Sequence, residues 1–156
     1  MSRRPGAIRL GEALAGAAAL ALLLITFLDW YAPRARGEGL SAWGAFAFVD
    51  ILLAAVIALG LALIVSQVAG RGPTLPVALE VLTATVALCT ALIVLYRILD
   101  QPGPNDLIGV EPGAWFGLAA VAAVFAGAWW SLTDERPRPA DPPAPEPDRR
   151  PAPPRS

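Results

Sequence analysis

The stretch LPVALEVLTATVALCTALIVLYRIL, from Leu75 to Leu99, decides how the chain is read. It holds one acid, Glu80, and one base, Arg97, and its apolar residues go all round a helix instead of alternating as strand residues do. Crossing the hydrocarbon takes about 20 mostly apolar residues at about 1.5 Å each, because backbone groups in lipid are satisfied only within a helix or a closed barrel. Working outward, three further stretches meet that length: Ile8 to Leu28, Phe46 to Ala69 and Ala114 to Leu132. Short connections between the four then imply an up-down-up-down arrangement. The expected fold class is an all-α membrane protein, a four-transmembrane-helix antiparallel bundle with a disordered Pro-rich C-terminal tail. Residues 1–7 form a cytoplasmic N-terminus, 8–132 the transmembrane domain (spans 8–28, 46–69, 75–99 and 114–132) and 133–156 the tail.

Composition points the same way. The 156 residues are 56% hydrophobic and 16% charged, with a mean hydropathy of +0.56, well outside the soluble globular range. Twelve basic residues, all Arg, face thirteen acids for a net charge of -1, so no basic excess exists to hold nucleic acid. No His and one Cys remove His-ligated metal and haem, Ser-His and Cys-His nucleophile pairs and an intramolecular disulfide. The lack of Lys removes Schiff-base chemistry and the P-loop lysine. The chain is expected not to be an enzyme and to carry no cofactor.

Helix ends have local causes. Ser41 is placed to cap a helix entering at Ala42, and Thr74 to cap the third span, with Pro76 in a first turn that tolerates a missing N–H. Pro112 opens the fourth span in the same way after the turn-forming Gln101-Pro102-Gly103-Pro104. Orientation follows the arginines, which cytoplasmic flanks retain. Nine fall on one side: Arg3, Arg4, Arg9, Arg71, Arg136, Arg138, Arg149, Arg150 and Arg155; only Arg34, Arg36 and Arg97 fall on the other. Both termini are therefore expected in the cytoplasm. Trp30, Tyr31, Trp43, Tyr96 and Trp115 then map to the outer boundary, and Trp129 and Trp130 to the inner one, as an interfacial belt. From Asp134 to Ser156, nine of 23 residues are Pro, a composition that cannot offset its ordering entropy and reads as a solvating tail.

Ionisable groups within spans are the functional candidates, because each costs roughly 2.5 to 3.5 kcal/mol at mid-depth on insertion scales. Glu12 lies about one turn inside the first span with Arg9 at i−3, and Glu80 is similarly placed in the third. The simpler expectation is that both pair or reach the interface. The sharper one is that this intramembrane acidic pair faces itself across the bundle and exchanges a proton. Small multidrug transporters are four-span proteins with a glutamate in the first span, but Leu10-Gly11-Glu12-Ala13-Leu14 does not reproduce their surrounding pattern. At the outer end, Arg97 and Asp50 are expected to pair and lock the second and third spans together. Cys89, mid-way along the third span, is expected as a small buried packing residue.

Lipid offers no hydrophobic drive between helices, so close approach depends on small residues four apart. Such ridges are Gly11, Ala15 and Ala19 on the first span, and Ala54, Ala58 and Ala62 on the second. On the fourth they are Gly113 with Gly117, and Ala119, Ala123 and Gly127. A faint internal repeat is also legible: Gly11-Glu12 through Leu28-Asp29 to Ala42-Trp43, and Leu79-Glu80 through Leu99-Asp100 to Ala114-Trp115.

Phe27-Leu28-Asp29-Trp30-Tyr31, Leu40-Ser41-Ala42-Trp43, the stretch from Tyr96 through Gly113 to Trp115, and Gly127-Ala128-Trp129-Trp130 together resemble a group of small, uncharacterised four-span integral membrane proteins of high-GC actinobacteria. The resemblance covers most of residues 8–135 and implies no activity or site. The expected function is that of a noncatalytic accessory or scaffold protein of the bacterial inner membrane. The alternative is a small proton-coupled transporter or channel subunit using Glu12 and Glu80. Partners consistent with either are the lipid bilayer, a protein bound through the C-terminal tail, and further copies of the chain.

Overall fold

The computed structural model describes residues 10–35, 37–45, 48–68, 74–104 and 106–134. The expected N-terminal segment, Arg71 and the tail from residue 135 lie outside these. The elements run α1 (Leu10–Ile25), β1 (Asp29–Pro33), β2 (Leu40–Ser41), α2 (Ala42–Ala45), α3 (Val49–Val68), α4 (Thr74–Leu99), β3 (Ile108–Val110) and α5 (Pro112–Asp134). The protein is mostly helical. Among the described residues, three helical segments are long and apolar enough to cross a membrane: Val49–Ser66, Val77–Leu99 and Pro112–Thr133; Leu10–Ile25 is apolar but shorter.

The helix starts follow local chemistry. Pro112 occupies the first position of α5, and α2 begins directly after Ser41. α4 begins at Thr74, whose side chain, like that of Pro76, lies outside those described. The first span expected to reach Leu28 instead ends at Ile25. Thr26, Phe27 and Leu28 close tight turns on the carbonyls of Leu22, Leu24 and Ile25. The Trp30 indole then donates to Ile25 O at 3.0 Å, and Ala42 N–H donates to Thr26 O at 3.2 Å, filling end carbonyls that a helix leaves open.

The reading as all-α is also corrected. The connections between helices form a three-stranded sheet in the order β2-β1-β3. β1 pairs antiparallel with β3 through Tyr31↔Val110, Ala32↔Gly109 and Pro33↔Ile108, and with β2 through Asp29↔Ser41 and Tyr31↔Leu40, with a register irregularity between them. Strands this short carry too few residues for alternation to show in the sequence. Gly103, at φ 141°, makes the turn from α4 toward β3 in a conformation that L side chains rarely adopt.

α1 packs against α3 and α5, and α4 against α3 and α5, while β1 lies on α5. The expected ridge on α1 is a contact surface: Gly11, Ala15 and Ala19 are all buried. A Cβ on Gly60 of α3 would lie 2.6 Å from Ala19 Cβ. The expected ridge on α3 is not such a surface, since Ala54 and Ala58 are exposed and Gly60 takes the contact. Gly113 and Gly117 do not meet another helix but form a slot for Trp30: a Cβ on Gly117 would lie 2.3 Å from the indole. Trp30 and Tyr31 are fully buried, so they leave the expected belt, to which the exposed Trp43, Tyr96, Trp115, Trp129 and Trp130 remain suited. Cys89 is exposed, not buried, because it shares the outward face of α4 with Leu88 and Leu92.

Candidate functional site

The two glutamates singled out by sequence come together at one end of the helices. Glu12 lies in the first turn of α1, Glu80 near the start of α4, and Ser131 near the end of α5. Relative exposures are 1%, 0% and 0%. Close backbone approach makes this juncture possible. A Cβ on Gly11 would lie 2.7 Å from both Gly127 O and Ser131 N, so only a glycine there lets α5 carry Ser131 up to the residue following Gly11.

The Ser131 hydroxyl donates to Glu80 Oε1 at 2.7 Å, and Ser131 Oγ lies 3.5 Å from Glu12 Oε1. The first distance is that of a strong O–H···O bond; the second is at the outer limit. One hydroxyl carries one proton, so Ser131 donates to one carboxyl at a time and can accept from the other. Glu80 Oε2 is buried and accepts no hydrogen bond. The side chains one turn deeper, Ala15, Ala84, Ala128 and Leu63, form an apolar cluster.

Ser131 differs from the other helical hydroxyls. Ser66, Thr83, Thr85, Thr90 and Thr133 each donate to a carbonyl three or four residues back in their own helix, the usual way a hydroxyl satisfies itself in an apolar helix. Ser131 reaches across to another helix instead. The sequence reading passed over it, although its position four residues beyond Gly127 continues the small-residue spacing on α5.

The simpler expectation is that Glu12 and Glu80 pair or reach the interface; their side chains are buried among the helices. They are enclosed by three helices and bridged by a hydroxyl. The expected outer pair sits at the far end. Asp50 is in the first turn of α3, with a buried Oδ1 that accepts no hydrogen bond. Arg97 is in the last turn of α4, where its carbonyl accepts from the Tyr31 hydroxyl at 3.0 Å. Burial pushes the Tyr31 phenol up to about 12, partly opposed by the Arg97 charge. Asp100 accepts from the Tyr96 hydroxyl at 2.7 Å.

No family model, curated protein or solved structure matches the chain.

Proposed function

We propose that the chain is a noncatalytic integral membrane protein of four antiparallel spans, a small accessory or scaffold protein of a bacterial inner membrane with both termini in the cytoplasm. The observation that carries this reading is the polarity of the helices. Large exposed side chains along them are apolar, including Leu24, Ile51, Leu88, Leu92 and Phe116, while Glu12, Glu80, Thr83, Thr90 and Ser131 point inward. In water these large apolar side chains would be exposed on every one of the long helices, the kind of surface that marks an interaction with lipid or another apolar partner. Spans of this length also satisfy their own backbone groups. Resistance to carbonate extraction, with a cytoplasm-active reporter active at both termini, tests topology. Crosslinking in intact cells followed by mass spectrometry tests the accessory role, which is contradicted if the chain is recovered without any partner.

A second reading, a small proton-coupled transporter or channel subunit, is favoured by one contact: the Ser131 hydroxyl bonded to Glu80 beside Glu12. Intramembrane carboxyl groups that face the interior of a helix assembly are the usual parts of proton relays. Reconstitution into liposomes with an enclosed proton-sensitive dye separates the readings. Flux lost in Glu80→Gln supports transport, and no flux above empty liposomes supports the scaffold.

A further inference from the structure

Two helices that start side by side do not end side by side. Glu12 of α1 and Glu80 of α4 stand at one level, beside Ser131, and both helices run from there toward the sheet, where the Tyr31 hydroxyl meets Arg97 O. From that level α1 continues for thirteen residues, from Glu12 to Ile25, and α4 for nineteen, from Glu80 to Leu99. At about 1.5 Å per residue, α1 stops about 9 Å short of α4. A separate contact gives the same result for α3. Gly60 of α3 meets Ala19 of α1. Eleven residues lead from Gly60 to the start of α3 at Val49, but only six from Ala19 to Ile25, a shortfall of about 7 to 8 Å. The sheet-side end of α1 is thus recessed by roughly a quarter of the hydrocarbon thickness.

The chemistry of this end suits a place without water. A helix that ends in solvent can leave its last carbonyls to water, whereas lipid offers no donor and the protein must supply them all. Here it does. Leu22 O accepts from Thr26 N–H at 2.9 Å and Leu23 O from the Thr26 hydroxyl at 2.6 Å. Leu24 O accepts from Phe27 N–H at 3.2 Å, and Ile25 O from Leu28 N–H at 3.1 Å and the Trp30 indole at 3.0 Å. Ala42 N–H closes Thr26 O, which fixes Trp43 beside the same end. The side chains around it are large, apolar and exposed: Phe27 67%, Leu28 48%, Trp43 39% and, just before α3, Phe48 66%. The Phe27 and Trp43 rings touch, with centroids 6.4 Å apart. This surface continues that of Leu24 on α1 and Ile51 on α3. The end of α4 differs, running straight into the exposed Asp100, whose carboxylate accepts from Tyr96.

We propose that lipid fills the recess above α1. Acyl chains of the sheet-side leaflet cover Phe27, Leu28, Trp43 and Phe48, so the turn after α1 and the entry to α3 lie within the bilayer while the loop between them rises to water. The Asp29 carboxylate accordingly lies over Gly39 of that loop. The inference rests on the membrane-spanning reading above and adds a lipid contact outside the four long helices.

The test is spin-label accessibility of the full chain in phosphatidylcholine–phosphatidylglycerol vesicles, one cysteine at a time: the native Cys89, and Phe27→Cys or Glu38→Cys with Cys89→Ser. A nitroxide at position 27 is expected to relax with dissolved oxygen and to respond several-fold less to a water-soluble nickel chelate than one at the exposed position 38. Equal chelate response at 27 and 38 overturns the inference. The Cys89 label keeps the two claims apart: shielded from chelate while position 27 is open, it leaves the membrane reading and removes the lipid-filled recess; open as well, it removes both. Exclusion of both reagents at 27, with spin–spin broadening that vanishes on dilution with unlabelled chain, overturns the inference in favour of a second copy. Unsubstituted protein gives a check that no variant's folding affects. A diazirine carried on a lipid acyl chain is expected to label Phe27, Leu28 and Trp43 on illumination. Label on α3, α4 and α5 with none at these three residues would overturn the inference too.

Discussion

Gly11 of α1 and Gly127 of α5 face each other across a close helix crossing: a Cβ on Gly127 would lie 2.6 Å from Gly11 O, and one on Gly11 2.7 Å from Gly127 O. Both obstacles are backbone atoms, which cannot swing aside as a side-chain end can. Gly127→Ala is therefore expected to push the helices apart and cost about 1–3 kcal/mol, the usual range for overpacking. Thermal unfolding in detergent micelles reads it, with the exposed Ala126→Leu as a control expected to change little.

Trp30 joins the sheet to the helices. Its ring fills the slot over Gly113 and Gly117, and its indole N–H holds the last turn of α1 through Ile25 O. Trp30→Phe is expected to lose about 1 kcal/mol with the hydrogen bond, and Trp30→Ala about 3–5 kcal/mol with the packing. Trp115→Ala, removing an exposed ring, is expected to fall well below either in the same melts.

Why the sequence foretold the helices and not Trp30's place is a matter of length and composition. Apolar runs such as Val77 to Leu99 are dictated by the span itself, so their ends were legible from Pro112 and Ser41. The Gly11-Ala15-Ala19 ridge was legible because its spacing is a helix period. β1, β2 and β3 draw their order from each other and from the slot on α5, contacts between residues tens of positions apart. An aromatic next to a span end reads equally as a belt residue or as a plug. Glu12 and Glu80 could be named as a pair from depth alone, but their bridging hydroxyl could not, since a lone Ser131 has the same local signature as the self-bonded Ser66.

Tyr31 gives the structure an alkaline limit. Its folded phenol is raised from the ordinary 10.0 to about 12, by burial first, with Arg97 acting the other way. The neutral phenol is thus favoured in the folded state. That contribution is complete below about pH 10 and is lost as pH rises through about 12. Tyr31→Phe is expected to flatten the stability profile across this window, while lowering stability at neutral pH by about 1 kcal/mol for the lost bond to Arg97 O. Unfolding midpoints measured from neutral to alkaline pH check both.

Glu80 is expected to lower stability where it stands. Replacing a buried ionisable group by an apolar one of similar length commonly stabilises, by about 1–4 kcal/mol in measured cases. Glu80→Met is expected to raise the melting temperature while abolishing any proton flux, the trade-off typical of a site kept for use. A lower melting temperature would mark the Ser131–Glu80 bond as structural.

Cys89 offers the most direct measurement of the central claim, that lipid covers the outward faces of these helices. It is the chain's single cysteine and is exposed mid-way along α4. A nitroxide attached there in reconstituted vesicles is expected to relax readily with dissolved oxygen and hardly at all with a water-soluble nickel chelate. Relaxation by the chelate as strong as at an aqueous loop position would contradict the account.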